Sequence, residues 1–116
     1  MSTYHEFAKN VRIINDLMFF CNKLGVTDCE VSLKLKDNIY HCNIKCAIFY
    51  LNKMIIDELR QTLSRPRQKE IEQSFWGLSG EDDIETELTL VGMMVDEVSI
   101  EYDGEELNIH CMRCID

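Results

Sequence analysis

The stretch Glu87–Cys111 constrains the fold more than any other part of this 116-residue chain. Its apolar residues recur first at helical spacing and then at every second position: Leu88, Val91, Met94, Val95, Val98, Ile100, Tyr102, Leu107, Ile109 and Cys111. Spacings of three and four indicate an amphipathic helix, and alternation indicates a half-buried strand. Asp103-Gly104 interrupts the alternation and predicts a turn, because Gly accepts a positive φ. The stretch therefore predicts a helix that leads directly into a two-stranded hairpin.

The preceding sequence predicts further partners for this apolar surface. The patterns indicate a helix over 7–24, strands over 30–36 and 40–46 around Asp37-Asn38, a helix over 47–63 and a short helix from Pro66 to Gly77. Two hairpins with long amphipathic helices are typical of an α+β fold, with helices on one face of a mostly antiparallel sheet. One domain over 1–116 is expected from the length.

Apolar stripes predict which side of each helix is buried. The stripe of the first helix consists of Phe7, Val11, Ile14, Met18 and Cys21, and that of the 47–63 helix of Ile48, Leu51, Ile55, Leu59 and Leu63. Phe49 and Tyr50 widen the second stripe beyond half of the circumference. That width indicates either burial on two sides or an exposed patch for a partner.

Charge and targeting signals exclude several classes of function. The net charge is −9, and from Glu70 onward Arg113 is the single basic residue. This acidic last third should repel nucleic acid and anionic lipid, and it suits either a solvated face or a basic partner. No apolar run is long enough to span a bilayer, and no signal-peptide pattern begins the sequence. We therefore expect a cytoplasmic protein.

The six cysteines leave a metal site open as an alternative. A reducing compartment favours free thiols, and buried thiols behave as small hydrophobic residues. The spacing Cys111-x-x-Cys114, together with Cys42 and Cys46, raises the question of zinc. Cys111 and Cys114 are expected on opposite faces of a strand, which is unfavourable for a shared metal. Buried free thiols are the preferred interpretation.

The segment between the predicted 47–63 helix and the stretch Glu87–Cys111 carries the basic cluster of the chain. Arg65, Arg67 and Lys69 lie near the predicted start of a short helix and could bind an anion. Glu70 and Glu72 could equally pair with these cations. Trp76 is large enough to anchor the segment to the body of the domain or to a partner.

Two segments resemble a known family. Asp96-Glu97-Val98 lies in a helix-to-hairpin segment that resembles the C-terminal end of the GHKL ATPases, above all the anti-sigma serine kinases related to histidine kinases. The run from Asp16 to Gly25 resembles the N-box helix of the same family. The resemblance implies a truncated histidine-kinase-like ATPase fold, a two-layer sandwich with a mostly antiparallel, mixed sheet.

The chain departs from this family where the nucleotide would bind. On the alignment, Phe20 replaces the magnesium-binding Asn, and Cys46-Ala47-Ile48-Phe49 replaces the G1 box. The Gly-rich G2 segment falls on Glu85-Thr86-Glu87-Leu88, and facing carboxylates oppose a triphosphate cradle. Asp16 is left as the counterpart of the N-box acid. Without a grip on magnesium and phosphate it is interpreted as a helix-surface residue.

The sequence thus predicts a non-catalytic, nucleotide-free domain that acts in regulation or signalling by binding protein. It needs no cofactor, and its partner is another protein or a second copy of the chain. The candidate partner-binding residues are Phe49, Tyr50, Arg65, Arg67, Trp76, Glu85 and Glu87. The alternatives are an ATP-binding serine kinase with unrecognised motifs and a Cys/His metal-binding protein. No Gly-x-Ser-x-Gly elbow, His-Glu-x-x-His or P-loop occurs in the chain.

Overall fold

A computed structural model describes residues 3–26, 28–64, 67 and 84–115 of the chain. These residues form α1 (Thr3–Lys23), β1 (Cys29–Lys36), β2 (Ile39–Ala47), α2 (Lys53–Leu63), α3 (Ile84–Met94), β3 (Glu97–Tyr102) and β4 (Glu106–Cys114). The predicted helix from Pro66 to Gly77 lies outside the described residues, apart from Arg67. No helix in the described ranges is both long and apolar enough to cross a membrane.

The four strands form one sheet in the order β1-β2-β4-β3, and all three of its pairings are antiparallel. The two hairpins predicted from alternation are confirmed, and they join through β2 and β4 with Ile44 opposite Ile109. No parallel pair occurs within the described strands, so the expected mixed character is absent there. The turn at Asp37-Asn38 has φ values of 53° and 64°. Asn and Asp tolerate this left-handed conformation, which matches the twist of the hairpin.

The helices pack on one face of the sheet. α1 contacts β2, β1 and α3, whereas α2 contacts β3 and α3. The core between the layers contains Ile13, Leu17, Cys21, Leu59, Leu63, Val91, Met94, Ile44, Leu107, Ile109 and Cys111, among others. α2 and α3 approach closely at Gly92, where a Cβ would lie 2.5 Å from the carbonyl oxygen of Thr62. The α+β architecture predicted from the element order is therefore confirmed.

α1 is rotated relative to the prediction. Phe7, Val11 and Met18, which were expected in the core, are exposed. The buried side instead carries Ile13 and Leu17 together with polar residues, and its centre lies roughly 100° around the helix from the predicted stripe. The buried polar residues of α1 are Glu6, Lys9, Asn10 and Asp16.

A buried ion pair accounts for this rotation. Arg113 of β4 is 1% exposed, and its Nη1 donates to Oε1 of Glu6 at 2.6 Å. Its Nε donates to the carbonyl of Met94 at 3.0 Å, and Lys9 Nζ lies 3.5 Å from the other oxygen of Glu6. A buried guanidinium requires such partners, because an unpaired buried charge is very unfavourable. The sheet therefore draws the polar side of α1 inward.

The second helix begins later than predicted. β2 continues to Ala47, and α2 starts at Lys53, after an N-cap in which Asn52 Oδ1 accepts from the N–H of Met54 at 2.8 Å. The prediction of helix over 47–63 is therefore wrong for its first six residues. The apolar run through Ile48 and Leu51 belongs to a connecting loop.

Candidate protein-binding surface

The loop over 48–52, hereafter the aromatic loop, connects β2 to α2. Tyr102 of β3 holds it at two points: its hydroxyl donates to the carbonyl of Ile48 at 2.9 Å and accepts from the N–H of Leu51 at 3.0 Å. The N–H of Ile48 also donates to the carbonyl of Glu105 at 2.9 Å. Ile48 and Leu51 pack against the core. Both ends of the loop are thus fixed to the sheet.

Between these fixed ends the loop presents aromatic side chains to solvent. Phe49 is 62% exposed and Tyr50 is 100% exposed, and Met54 on the first turn of α2 is exposed as well. Tyr50 has a φ of 62°, in the left-handed region that a bulky side chain rarely occupies. Such backbone strain persists only where the surrounding structure enforces it, and it concentrates at binding sites. The loop is therefore a preorganised apolar surface.

The aromatic loop includes two candidates from the sequence, Phe49 and Tyr50. Their apolar character predicted either burial on two sides of a helix or an exposed patch for a partner. Both side chains are exposed on a loop, so burial on two sides of a helix is wrong for this pair. The signal that could have placed the loop is Asn52, a strong N-cap residue that marks a helix start.

Asp16, the candidate counterpart of the N-box acid, is not a surface residue. Its side chain is buried, and Arg12 Nε lies 3.1 Å from its Oδ2. The Asp16 carboxylate is thus engaged by a neighbour one turn earlier on the same helix, with a charge-assisted hydrogen bond. Phe20, which stands where the family has its magnesium-binding Asn, is part of the apolar core.

The cysteines proposed as metal ligands do not converge on one point. Cys42 lies opposite Cys111 in the sheet, whereas Cys46 Sγ lies 3.9 Å from the Sγ of Cys21. Cys114 is exposed at the far end of β4. Among the residues that the structure describes, no group of three or more His, Cys, Asp or Glu side chains could hold a metal ion.

Burial makes the core thiols poor nucleophiles and poor ligands. Desolvation raises the pKa of Cys42 to about 11 and that of Cys111 to about 12, and it raises the pKa of Cys21 further. The pKa of Cys46 is also raised, mainly by desolvation. Because the thiolate is the form that attacks electrophiles and binds metals, these groups act as apolar packing.

The basic candidate Arg67 is engaged within the chain. Its Nη1 donates to Oδ2 of Asp96 at 2.9 Å and to the carbonyl of Cys114 at 3.0 Å. The N–H of Cys114 donates to the same carboxylate oxygen at 2.7 Å. Arg67 therefore connects the start of β3 to the end of β4, and this does not favour anion binding, which was one of the two alternatives left open for the basic cluster.

Four further candidates lie partly or wholly outside the described residues. Arg65 and Trp76 are outside them altogether, and so are the side chains of Glu85 and Glu87, whose backbone belongs to α3. The side chains of the acidic last third of the chain are therefore described only from Leu88 onward.

A histidine pair on the helix-free face of the sheet was not predicted from the sequence. Nδ1 of His41 lies 3.2 Å from Nε2 of His110, with the ring centroids 5.4 Å apart. His41 lies opposite Met112, and His110 is two residues from Met112 on the same face of the sheet, so the two rings are diagonal neighbours across β2 and β4. A pairing between distant segments of this kind leaves no local signal.

Comparison with protein-family models, with curated proteins and with solved structures finds no match to this chain.

Proposed function

We propose that this chain is a non-catalytic, nucleotide-free regulatory domain, related to the anti-sigma and histidine-kinase-like domains, that acts by binding another protein through the aromatic loop. The observation that carries the proposal is Tyr50, a fully exposed aromatic ring on a strained and anchored backbone. Aromatic side chains held rigidly in solvent are typical anchors of protein interfaces, because little conformational entropy is lost when they are buried.

The kinship with the GHKL fold is part of the proposal. It is supported by the two hairpins, by helices on one face of the sheet and by the segment at Asp96-Glu97-Val98, which resembles the family. The proposed loss of nucleotide binding is supported by Phe20, which is core, and by Asp16, which is paired with Arg12. We also propose a cytoplasmic location, because no two of the described cysteines are joined in a disulfide and a reducing compartment favours that state.

A photo-crosslinking amino acid at position 50 tests the binding role in cells of the native host. The matched control carries the same group at Glu101, which is also exposed but lies on the helix-free side of β3. We expect one defined protein to be crosslinked from position 50 and not from position 101. The crosslink should be lost when Phe49→Ser is added.

Equal crosslinking from both positions, or none from position 50, would contradict the proposal. The variants should first be shown to retain the melting temperature of the parent chain. Phe49 is exposed, so its replacement is expected to change stability by less than about 0.5 kcal/mol.

A further inference from the structure

β1 forms one edge of the described sheet, and exposed apolar side chains line the helix-facing side of this edge. No strand among the described residues pairs with it, because β1 is the first strand of the sheet order. On its helix-facing side, Val31 is 40% exposed and Leu35 is 49% exposed. A long edge with apolar side chains and free backbone groups is a template for pairing with another strand.

The exposed flank of α1 continues this surface. Phe7, Val11 and Met18 are spaced by four and seven residues and therefore lie on one side of the helix. α1 packs over β2 and β1 with α3 at one flank, and its other flank is exposed. Because the sheet order places β1 beyond β2, that exposed flank lies on the side of the β1 edge. We call β1 with this flank the β1 edge surface.

The hairpin geometry determines which backbone groups of β1 are available. The two-residue turn at Asp37-Asn38 makes Lys36 and Ile39 a hydrogen-bonded pair, and such pairs recur at every second residue of an antiparallel ladder. The N–H and C=O groups of Val31, Leu33 and Leu35 therefore point away from β2. They are available to a new strand without any change in the hairpin.

The sequence of β1 is complementary to itself in the antiparallel direction. When two copies are related by a two-fold axis through Leu33, Val31 faces Leu35 of the second copy. On the helix-free side, Glu30 then faces Lys36 of the second copy, and opposite charges attract across such a pair. The three residues with outward backbone groups also face one another, so all their N–H and C=O groups can pair.

We infer that the β1 edge surface binds a second copy of this chain, with β1 pairing antiparallel to its counterpart around Leu33. The two sheets then become one continuous sheet of eight described strands, and the exposed flanks of the two α1 helices cover the new join. Closed two-fold symmetry uses the same surface on both copies and leaves no free β1 edge. This surface is separate from the aromatic loop, and the inference does not depend on what that loop binds.

Charge variants on the two exposed positions test the pairing and its register. We expect the native chain to sediment as a dimer with a dissociation constant in the micromolar range, since the interface is small. Val31→Lys with Leu35→Lys places like charges opposite each other and should weaken the dimer by about 100-fold or more. Val31→Lys with Leu35→Glu places opposite charges there and should retain the dimer, with an affinity that falls as salt increases.

Both double variants change exposed residues, and circular dichroism with thermal melting establishes that they remain folded. A native chain that stays monomeric well above micromolar concentration overturns the inference. A dimer that the two-lysine variant leaves intact also overturns it, because the contact is then elsewhere. If the Lys/Glu variant is as weak as the two-lysine variant, the register around Leu33 is wrong.

Discussion

β1 and β3 form the two edges of the described sheet, and they differ in length, in charge and in how far a helix shields them from solvent. β3 has six residues, carries Glu97 and Glu101 on its helix-free side, and is contacted by α2. Nη2 of Arg60 on α2 donates to the carbonyl of Ile100 at 2.9 Å, so a side chain occupies one of its backbone acceptors. β1 has eight residues, and although α1 contacts it, Val31 and Leu35 on its helix-facing side remain exposed.

In the proposed dimer, this difference explains why the sheet associates at its β1 edge and not at its β3 edge. A short acidic edge with an occupied carbonyl resists the addition of another strand. A longer edge with mixed charge and apolar residues accepts one. The comparison therefore divides the molecule into a covered half, around β3 and β4, and an open half, around β1. Each half predicts its own response to substitution.

The largest effect is expected in the covered half, at Arg113. Arg113→Met leaves the carboxylate of Glu6 buried without its guanidinium partner, and should lower the free energy of unfolding by about 3–5 kcal/mol in urea denaturation. Lys45→Ala is the control, since Lys45 Nζ lies 3.9 Å from a partly exposed Glu106 carboxylate. Exposed pairs contribute less than about 1 kcal/mol. If the two substitutions lowered stability equally, the buried ion pair would contribute no more to stability than the exposed pair, which contradicts the prediction.

Substitution of one leucine in each half compares how much the covered and the open half contribute to stability. Leu107 of β4 is fully buried, and Leu107→Ala should destabilise the chain by about 2–5 kcal/mol. Leu35 of β1 is half exposed, and Leu35→Ala should cost less than about 1 kcal/mol when the protein is dilute enough to be monomeric. If Leu35→Ala is as damaging as Leu107→Ala under those conditions, the open half is an integral part of the monomer core.

The buried thiols of the covered half predict a dependence on pH. The folded pKa values of Cys42 and Cys111, about 11 and about 12, lie above the ordinary thiol value of 9.0. Their contribution to stability is therefore complete below pH 9 and is lost as pH rises towards 11 and 12. The slope is about 1.4 kcal/mol per pH unit for each thiol.

Thiol alkylation followed by mass spectrometry reports on Cys42 and Cys111 individually, whereas stability at high pH also depends on other side chains that titrate there. At pH 8, exposed Cys114 should react at least about 100-fold faster than Cys42 or Cys111 in the folded chain, because few of the buried thiols are ionised. In urea the three rates should become similar. Comparable rates in the native chain would contradict the raised pKa values.

The smallest stability effect is expected at Tyr50, which the covered half holds through Tyr102. Tyr50→Gly relieves the left-handed strain at φ 62° and should raise the free energy of unfolding by up to about 1 kcal/mol. Tyr50→Ala keeps a Cβ and should not stabilise. Both variants should lose the partner bound at the aromatic loop. A Tyr50→Gly variant that is less stable than Tyr50→Ala would mean that the backbone conformation is not strained.

The sequence predicted those elements whose signal is local. The alternation from Val98 to Tyr102 and the Asp37-Asn38 turn depend on neighbouring residues, and both hairpins are confirmed. The rotation of α1 could not be predicted in this way. Glu6 and Lys9 are typical surface residues, and only the distant Arg113 explains why they are buried.

The two proposed binding surfaces were predictable to different degrees. Phe49 and Tyr50 were recognised as unusually apolar, but the continuing apolar pattern concealed the helix start that Asn52 marks. The β1 edge was not recognised, because alternation predicts a strand and does not predict its place in the sheet. An edge is determined by topology, which depends on how the two hairpins join.

The central claim is that this domain acts by binding protein at its surface and does not bind a nucleotide. Calorimetric titration of magnesium-ATP into the pure protein tests this claim most directly. We predict no heat of binding and no change in melting temperature, since Phe20 is core and Asp16 is paired with Arg12. Binding at micromolar affinity should raise the melting temperature at saturating ligand. If Asp16→Asn then abolished that binding, the result would contradict the account and favour an ATP-binding serine kinase.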